Sequence, residues 1–400
     1  MAYLGHLVID SDSHIREYWD LDRTYKDNMD PEYREMYARL SEAVKAKQKR
    51  SGDVGLGDLL WPRLPQHPMG VYDAFAGPRD GPEESNGAGP DRAISNAGVK
   101  IDPACHWDPT IRLRDMDTAG VDVSVMFASQ SDGFCMLNDV GFESALQRAY
   151  HRFMNNYCAG SNGRLRWVGN SNLRDIDESV AQLRHWTKED DSFAGMFISR
   201  AMPDGTMLDN PVLHPLFAAS QELDMPIWVH GGANRPPLTP WVHGPNAVYH
   251  GLGGMYALSA LIGGGVFDLF PKLRIGIFES GCGWMPWMIE KLDDGFRPGS
   301  SQNPYLKRTA SEILASGQLF CSLDADEGLI EHAVTELGED VLLLSTDYPH
   351  NGTCWPNGVP LITERDMPDS AKLKILGENA TRFLPSLARW APTGPAPARA

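Results

Sequence analysis

Short apolar runs rich in β-branched and aromatic residues recur along this chain. Each is followed by a polar or glycine-containing turn, then by a segment whose apolar positions fall three and four apart. Eight such runs stand out: Leu7–Asp12, Val121–Phe127, Leu165–Gly169, Gly195–Ile198, Pro226–His230, Leu273–Glu279, Gln318–Leu323 and Val341–Asp347. An apolar run of this length bounded by turn signals predicts a buried strand, and the wider spacing predicts a helix with one apolar face. Helices are expected over Val140–Tyr157, Ser179–Thr187, Pro211–Leu223, Tyr256–Phe270, Trp284–Asp293, Glu327–Leu337 and Asp369–Phe383. Strand and helix alternating in this way build a parallel sheet, and eight units suit closure into a (β/α)8 barrel, the α/β fold class expected here.

Residues 1–390 read as one barrel domain interrupted by an insert at 25–105, far longer than an ordinary strand-to-helix connection. Asp30 to Arg50 has helical spacing, whereas Ser51 to Gly98 is rich in Gly, Pro, Asp and Asn with scattered Trp61, Tyr72 and Phe75. The second stretch reads either as a flexible linker or as a lid or subunit contact over the barrel mouth. The Pro/Ala-rich residues 391–400 are expected to be a disordered tail.

Composition narrows the partners. With 36 Lys plus Arg against 53 Asp plus Glu in 400 residues, the net charge of −17 opposes the phosphate attraction behind nucleic-acid binding, and disfavours anionic membranes equally. The most apolar stretch, Leu252 to Phe267, is shorter than a bilayer span of about 20 residues and contains the Gly264-Gly265 pair, so a buried helix is expected. Six widely spaced cysteines without a C-x-x-C pair, and a start lacking secretory character, point to reduced thiols and a cytoplasmic location.

In a barrel of this kind the reactive groups sit at the C-terminal strand ends. Four of the eight runs end in metal-ligand residue types: Asp10-Ser-Asp12-Ser-His14 with Glu17 beyond, Val229-His230-Gly231, Phe278-Glu279-Ser280, and Thr346-Asp347-Tyr-Pro-His350. Strand alternation would turn Asp10, Asp12 and His14 to one side, so that Asp12 and His14 chelate one ion. His230 and Asp347 complete a mixed N/O set suited to Zn, Fe or Mn. Singly, each has a structural explanation in a turn, a salt bridge or a hydrogen bond. Gathered at one rim without Lys or Arg among them, their mutual repulsion calls for a cation. Glu17, Glu279 and His350 raise the count to seven, and that surplus suggests two ions bridged by a carboxylate, unless these three serve in proton transfer or orientation. His106 and His250 are weaker candidates for substrate contact.

At these residues the chain resembles the amidohydrolase superfamily, in the branch that contains aromatic-acid decarboxylases. The likeness runs from Ile9 to Leu384 through Trp107-Asp-Pro-Thr-Ile-Arg-Leu-Arg-Asp-Met-Asp117, Phe270-Pro-Lys-Leu-Arg274, Glu279-Ser-Gly-Cys-Gly-Trp284, Thr346-Asp-Tyr-Pro-His350 and Gly377-Glu-Asn-Ala-Thr-Arg-Phe383. It implies a (β/α)8 barrel with a divalent metal on Asp12, His14, His230 and Asp347. The decarboxylases carry H-x-H or E-x-H on the first strand and a catalytic His at the end of the sixth. This chain has Asp12-Ser13-His14 and Glu279 instead, a pattern more similar to the offshoot of dinuclear non-haem iron or manganese/iron monooxygenases.

The main expectation is therefore a dinuclear Fe/Fe or Mn/Fe monooxygenase using O₂ to hydroxylate an aliphatic C–H of a small carboxylate substrate, with Glu279, His350 and Glu17 as catalytic groups. The alternative is a mononuclear Zn or Mn hydrolase or non-oxidative decarboxylase of an aromatic carboxylic acid. A third expectation is an inactive subunit that pairs with an active paralogue, and a homo- or hetero-oligomer is expected in any case.

Overall fold

The computed structural model describes residues 5–17, 20–51, 95–129, 131–231, 245–296, 303–350 and 353–390. Strands β1 (Ile9–Ile15), β2 (Val123–Ala128), β3 (Leu165–Asn170), β4 (Phe193–Ile198), β5 (Ile227–Val229), β6 (Ile275–Ile277), β7 (Leu319–Asp324) and β8 (Leu342–Ser345) form one sheet in chain order. Every neighbouring pair is parallel. Beyond the end of β8 the chain returns to β1: Asp347 N donates to Asp12 O at 3.0 Å, and His14 N donates to Tyr348 O at 2.6 Å. These bonds close the mouth of the expected (β/α)8 barrel.

Parallel strands packed under helices are buried on both faces, which is why the runs are almost continuously apolar. Val125, Trp228, Ile277 and Phe320, on β2, β5, β6 and β7, are fully buried. Close packing also fixes one glycine: Gly195 on β4 has φ +117°, and a Cβ there would lie 2.5 Å from Pro226 O. The Leu252 to Phe267 stretch belongs to a helix, Pro245–Gly263, which stops at the pair of glycines where Gly265 takes φ +73° and resumes as Val266–Leu269. Among the described residues no helix is long and apolar enough to cross a membrane. None of the six cysteines is in a disulfide.

One expectation about β1 is corrected. Its pairing with β2 shifts between Asp10 and Ser13, where two residues, Ser11 and Asp12, face the single Val125. Such a bulge breaks the alternation of side chains. Asp10 therefore leaves the mouth: its carboxylate accepts from Thr346 N at 3.0 Å and Thr346 Oγ1 at 2.6 Å. It lines a small cavity with Arg112, Asp115 and Met116 of the helix Pro109–Ala119.

The helix Arg34–Ser51 matches the helical reading of Asp30 to Arg50. Its approach is pinned to the helix Val140–Cys158 by Asp30, which pairs with Arg148 and Arg152, both at 2.6 Å. The lid-or-linker reading of the following stretch falls largely on residues 52–94, and the tail on 391–400; both lie outside the described residues.

Candidate metal centre

Five side chains meet at the C-terminal mouth. Asp12 and His14 come from β1, His230 directly follows β5, and Asp347 and His350 come from the turn after β8. His230 Nε2 is 3.2 Å from Asp12 Oδ1, and His14 Nε2 is 3.4 Å from the same oxygen. His14 Nε2 is also 3.3 Å from Asp347 Oδ1, which His350 Nδ1 approaches at 2.7 Å. The two trios Asp12–His14–His230 and His14–Asp347–His350 each bring their ligand atoms within 4.8 Å of one another, and they share His14.

These atoms fit a metal ion better than they fit each other. Asp12 Oδ2, both ring nitrogens of His14 and Asp347 Oδ1 are buried with no well-formed hydrogen bond among the described residues. Buried polar atoms are rarely left in that state unless an ion or water serves them. Ligand bonds of about 2.0–2.1 Å imply donor-to-donor edges of about 2.8–3.4 Å across octahedral and tetrahedral shells. The separations of 3.2, 3.4 and 3.3 Å joining Asp12, His14, His230 and Asp347 lie in that range.

The backbone is held in an uncommon conformation to make this arrangement. Asp347 and Glu279 have φ of +55° and +48°, in the left-handed region that a non-glycine residue enters at a cost of about 1–3 kcal/mol. Asp347 is fixed by its N–H on Asp12 O, and the Glu279 turn by Arg200, whose Nη2 donates to Phe278 O at 2.9 Å and Glu279 O at 2.7 Å. Aromatic rings back the imidazoles. Phe127 stacks on His230 with centroids 4.6 Å apart, and His14 stacks on His350 at 4.0 Å.

The electrostatics divide the two central carboxylates. Burial raises Asp12, but His230 and His14 outweigh it and hold the group down at about 2. Burial pushes Asp347 up to about 7; His14 opposes this, while Glu279 and Asp12 add to it. His350 is depressed to about 3 by burial and by Arg16. His230 would be lowered by burial, yet Asp12 and Glu279 hold it above its usual range. Asp324, at the end of β7, is raised by burial and by Asp347. The mouth thus concentrates negative charge whose members repel one another.

The remaining expected residues stand around this group. Glu17 is buried, and its Oε2 accepts the backbone N–H of Ser129 at 2.8 Å. Glu279 Oε2 lies 3.0 Å from His250 Nδ1 and 3.7 Å from His230 Nδ1, on the far side of that ring from Asp12. Neither carboxylate joins either trio, because each is taken up by another partner. His106 is buried beside β1, its Nδ1 accepting from Arg16 N at 3.0 Å, which leaves the proton of the neutral ring on Nε2. Sequence reasoning passed over Arg200, Ser129 and Asp324. Arg200 and Asp324 stand just past β4 and at the end of β7; Arg200 is not a metal-ligand type, and Asp324 lies one residue beyond the apolar run Gln318–Leu323.

The chain matches the family model described as Amidohydrolase over residues 101–386. It is 29% identical over 303 residues to 2-amino-3-carboxymuconate-6-semialdehyde decarboxylase of Dictyostelium discoideum, covering 71% of this chain and 78% of that protein. It is 23% identical to gamma-resorcylate decarboxylase of Rhizobium radiobacter, over 68% of this chain and 85% of the relative. The fold superposes on 5-carboxyvanillate decarboxylase of Sphingomonas paucimobilis with a TM-score of 0.64 at 18% identity, covering 94% and 98% of the two chains. The manganese-bound 5-carboxyvanillate decarboxylase of Novosphingobium aromaticivorans gives 0.62 at 19% identity, over 95% and 97%. None of these four is an oxygenase, and the expected kinship with dinuclear monooxygenases finds no support among them. A barrel of eight parallel strands, acid and imidazole side chains clustered at its mouth, and a family match spanning β2 to β8 together establish that the chain belongs to the amidohydrolase family.

Proposed function

We propose that this protein is a non-oxidative decarboxylase of a small aromatic carboxylic acid that works with one divalent ion, manganese or zinc, held by Asp12, His14, His230 and Asp347. The observation that carries the reading is the set of buried ligand atoms on Asp12, His14 and Asp347 that lack a well-formed hydrogen bond among the described residues, with His230 Nε2 3.2 Å from Asp12. The activities of the relatives support the reaction class. Two carboxylates and two imidazoles suit either metal. When bound, the ion supplies a Lewis acid that draws electron density from the anionic oxygens of the substrate.

The chain's own residues have two further tasks. Losing CO₂ leaves the bonding electron pair on a ring carbon, which a proton must capture. Glu279 and His250, 3.0 Å apart at the rim, form a pair between which a proton is held and from which it is delivered. Arg200 positions that pair by clamping the Glu279 turn and by approaching His250 Nδ1 at 3.1 Å. Phe127 and Phe197 wall the imidazoles and exclude water from the developing carbanion. Glu17 acts as a support, ordering Ser129, whose hydroxyl is 2.9 Å from His350 Nε2.

Metal analysis together with CO₂ release under nitrogen tests this. One ion per chain, with CO₂ released from hydroxylated benzoic acids in the absence of O₂, is expected. Two ions per chain and strict dependence on O₂ would restore the oxygenase.

A further inference from the structure

A second cavity opens beside the metal centre, at the C-terminal ends of β3 and β4, with a volume of about 280 Å³ including its open mouth. Its walls include Ser131, Cys135, Glu143, Asn170, Ser171 and Phe197. Phe197 joins the two sites: its ring lines the cavity, and its centroid is 6.1 Å from that of His230. Asn170 and Ser171 are 4% and 8% exposed, and Asn170 Nδ2 and Ser171 Oγ have no hydrogen-bond partner among the described residues. The surrounding backbone is satisfied, since Asn170 N donates to His151 Nε2 at 2.9 Å and Ser171 N to Phe197 O at 3.2 Å. Two buried polar groups left unpaired on the wall of a cavity, within an otherwise saturated frame, cost stability unless a ligand completes them.

The walls also select the ligand. An amide N–H and a hydroxyl offer donors to an oxygen acceptor. Glu143 is on the same wall, its Oε2 bound by Arg174 Nε at 2.7 Å, so the guanidinium is already taken and a second carboxylate in the cavity would face a carboxylate. We infer that this cavity is a specificity subsite in which Asn170 and Ser171 bind an uncharged oxygen substituent, a hydroxyl or ether oxygen, of the acid whose carboxylate end lies at the metal centre. The inference rests on the proposed reaction for the nature of that acid. Sites that hydrogen-bond a substrate oxygen discriminate strongly against analogues lacking it, because the buried donors are then left unpaired.

Cys135 provides a readout independent of turnover. It lines the cavity and is the one cysteine of the six that is not buried. Alkylation of Cys135 by iodoacetamide in the metal-loaded protein, followed by mass spectrometry, is compared in the presence of benzoate and of a panel of hydroxy- and methoxybenzoates. At least one oxygenated acid is expected to protect Cys135 at a concentration about tenfold lower than benzoate requires. In Asn170→Leu with Ser171→Ala that advantage disappears while benzoate protects as before, and the melting temperature does not fall, since the replaced groups were unpaired. Equal protection by benzoate and by every oxygenated acid, an advantage that survives the double substitution, or a double variant that melts markedly lower would overturn the subsite. CO₂ release is followed in parallel. Selective protection without CO₂ release rejects decarboxylation and retains the subsite; CO₂ release without selective protection does the reverse.

Discussion

His230 Nε2 stands 3.2 Å from Asp12 Oδ1, joining β5 to β1 across 218 residues of chain. The contact turns the outer nitrogen of the imidazole toward the carboxylates of β1 and β8 and leaves Nδ1 facing Glu279. One ring thus lies between the Asp12 carboxylate and Glu279, whose other neighbour is His250.

Asp12→Asn replaces an anionic oxygen donor of the cluster with a neutral one, and His230→Ala removes an imidazole donor. Metal affinity is expected to fall by more than the roughly 10–100-fold typical of losing an outer-shell partner. Elemental analysis after dialysis measures this. Glu17→Gln, by contrast, is expected to keep its metal, because Glu17 is bonded to Ser129 N outside the cluster. Full occupancy in both Asp12→Asn and His230→Ala would remove the ligand assignment.

Glu279→Gln separates proton transfer from metal binding. Retained metal with kcat lower by about 10²–10⁴-fold is expected, the usual contribution of a positioned acid or base. Steady-state CO₂ release beside metal content reads both. Loss of the metal itself would move Glu279 into the coordination shell.

His151 gives the fold a pH dependence away from the metal. Its Nε2 accepts the Asn170 N–H, its Nδ1 faces Gln182 Oε1 at 3.1 Å, and burial depresses it to about 4. Between that value and the ordinary 6.5 the unfolded chain binds the proton and the folded chain does not, so stability falls as pH drops through this window. The full contribution is present above 6.5, and the loss is complete below about 4, on the order of 3 kcal/mol. Urea unfolding of the wild type and His151→Gln across this range should give different slopes; superimposable slopes would refute the assignment.

Gly195→Ala tests the barrel wall. A Cβ at φ +117°, 2.5 Å from Pro226 O and 3.0 Å from Trp228 Nε1, forces backbone to move, and a loss of about 2–4 kcal/mol is expected. Gly120→Ala, with φ +74° but nothing within 4 Å, carries only the conformational cost of about 1 kcal/mol. Chemical denaturation of the pair separates strain from collision.

The alternation of apolar runs and helical segments determined the barrel by itself, because strands buried on both faces must be apolar and their covering helices must be amphipathic. The residue types at the strand ends likewise singled out seven acidic and imidazole side chains, of which Asp12, His14, His230, Asp347 and His350 meet at the mouth. Tertiary structure decided their division of labour. A bulge on β1 turned Asp10 toward Thr346, an effect the two-residue period cannot foresee. Glu17 and Glu279 have the chemistry of ligands but are engaged by Ser129 and His250, from β2 and from the helix before β6. Asn170 and Ser171 carry no mark in the sequence; their interest comes from side-chain donors buried beside a cavity with no hydrogen-bond partner among the described residues. A linear sequence specifies which groups exist and on which face of its own element each lies, but whether a buried polar group finds a partner depends on elements hundreds of residues away, and only the closed barrel brings those together.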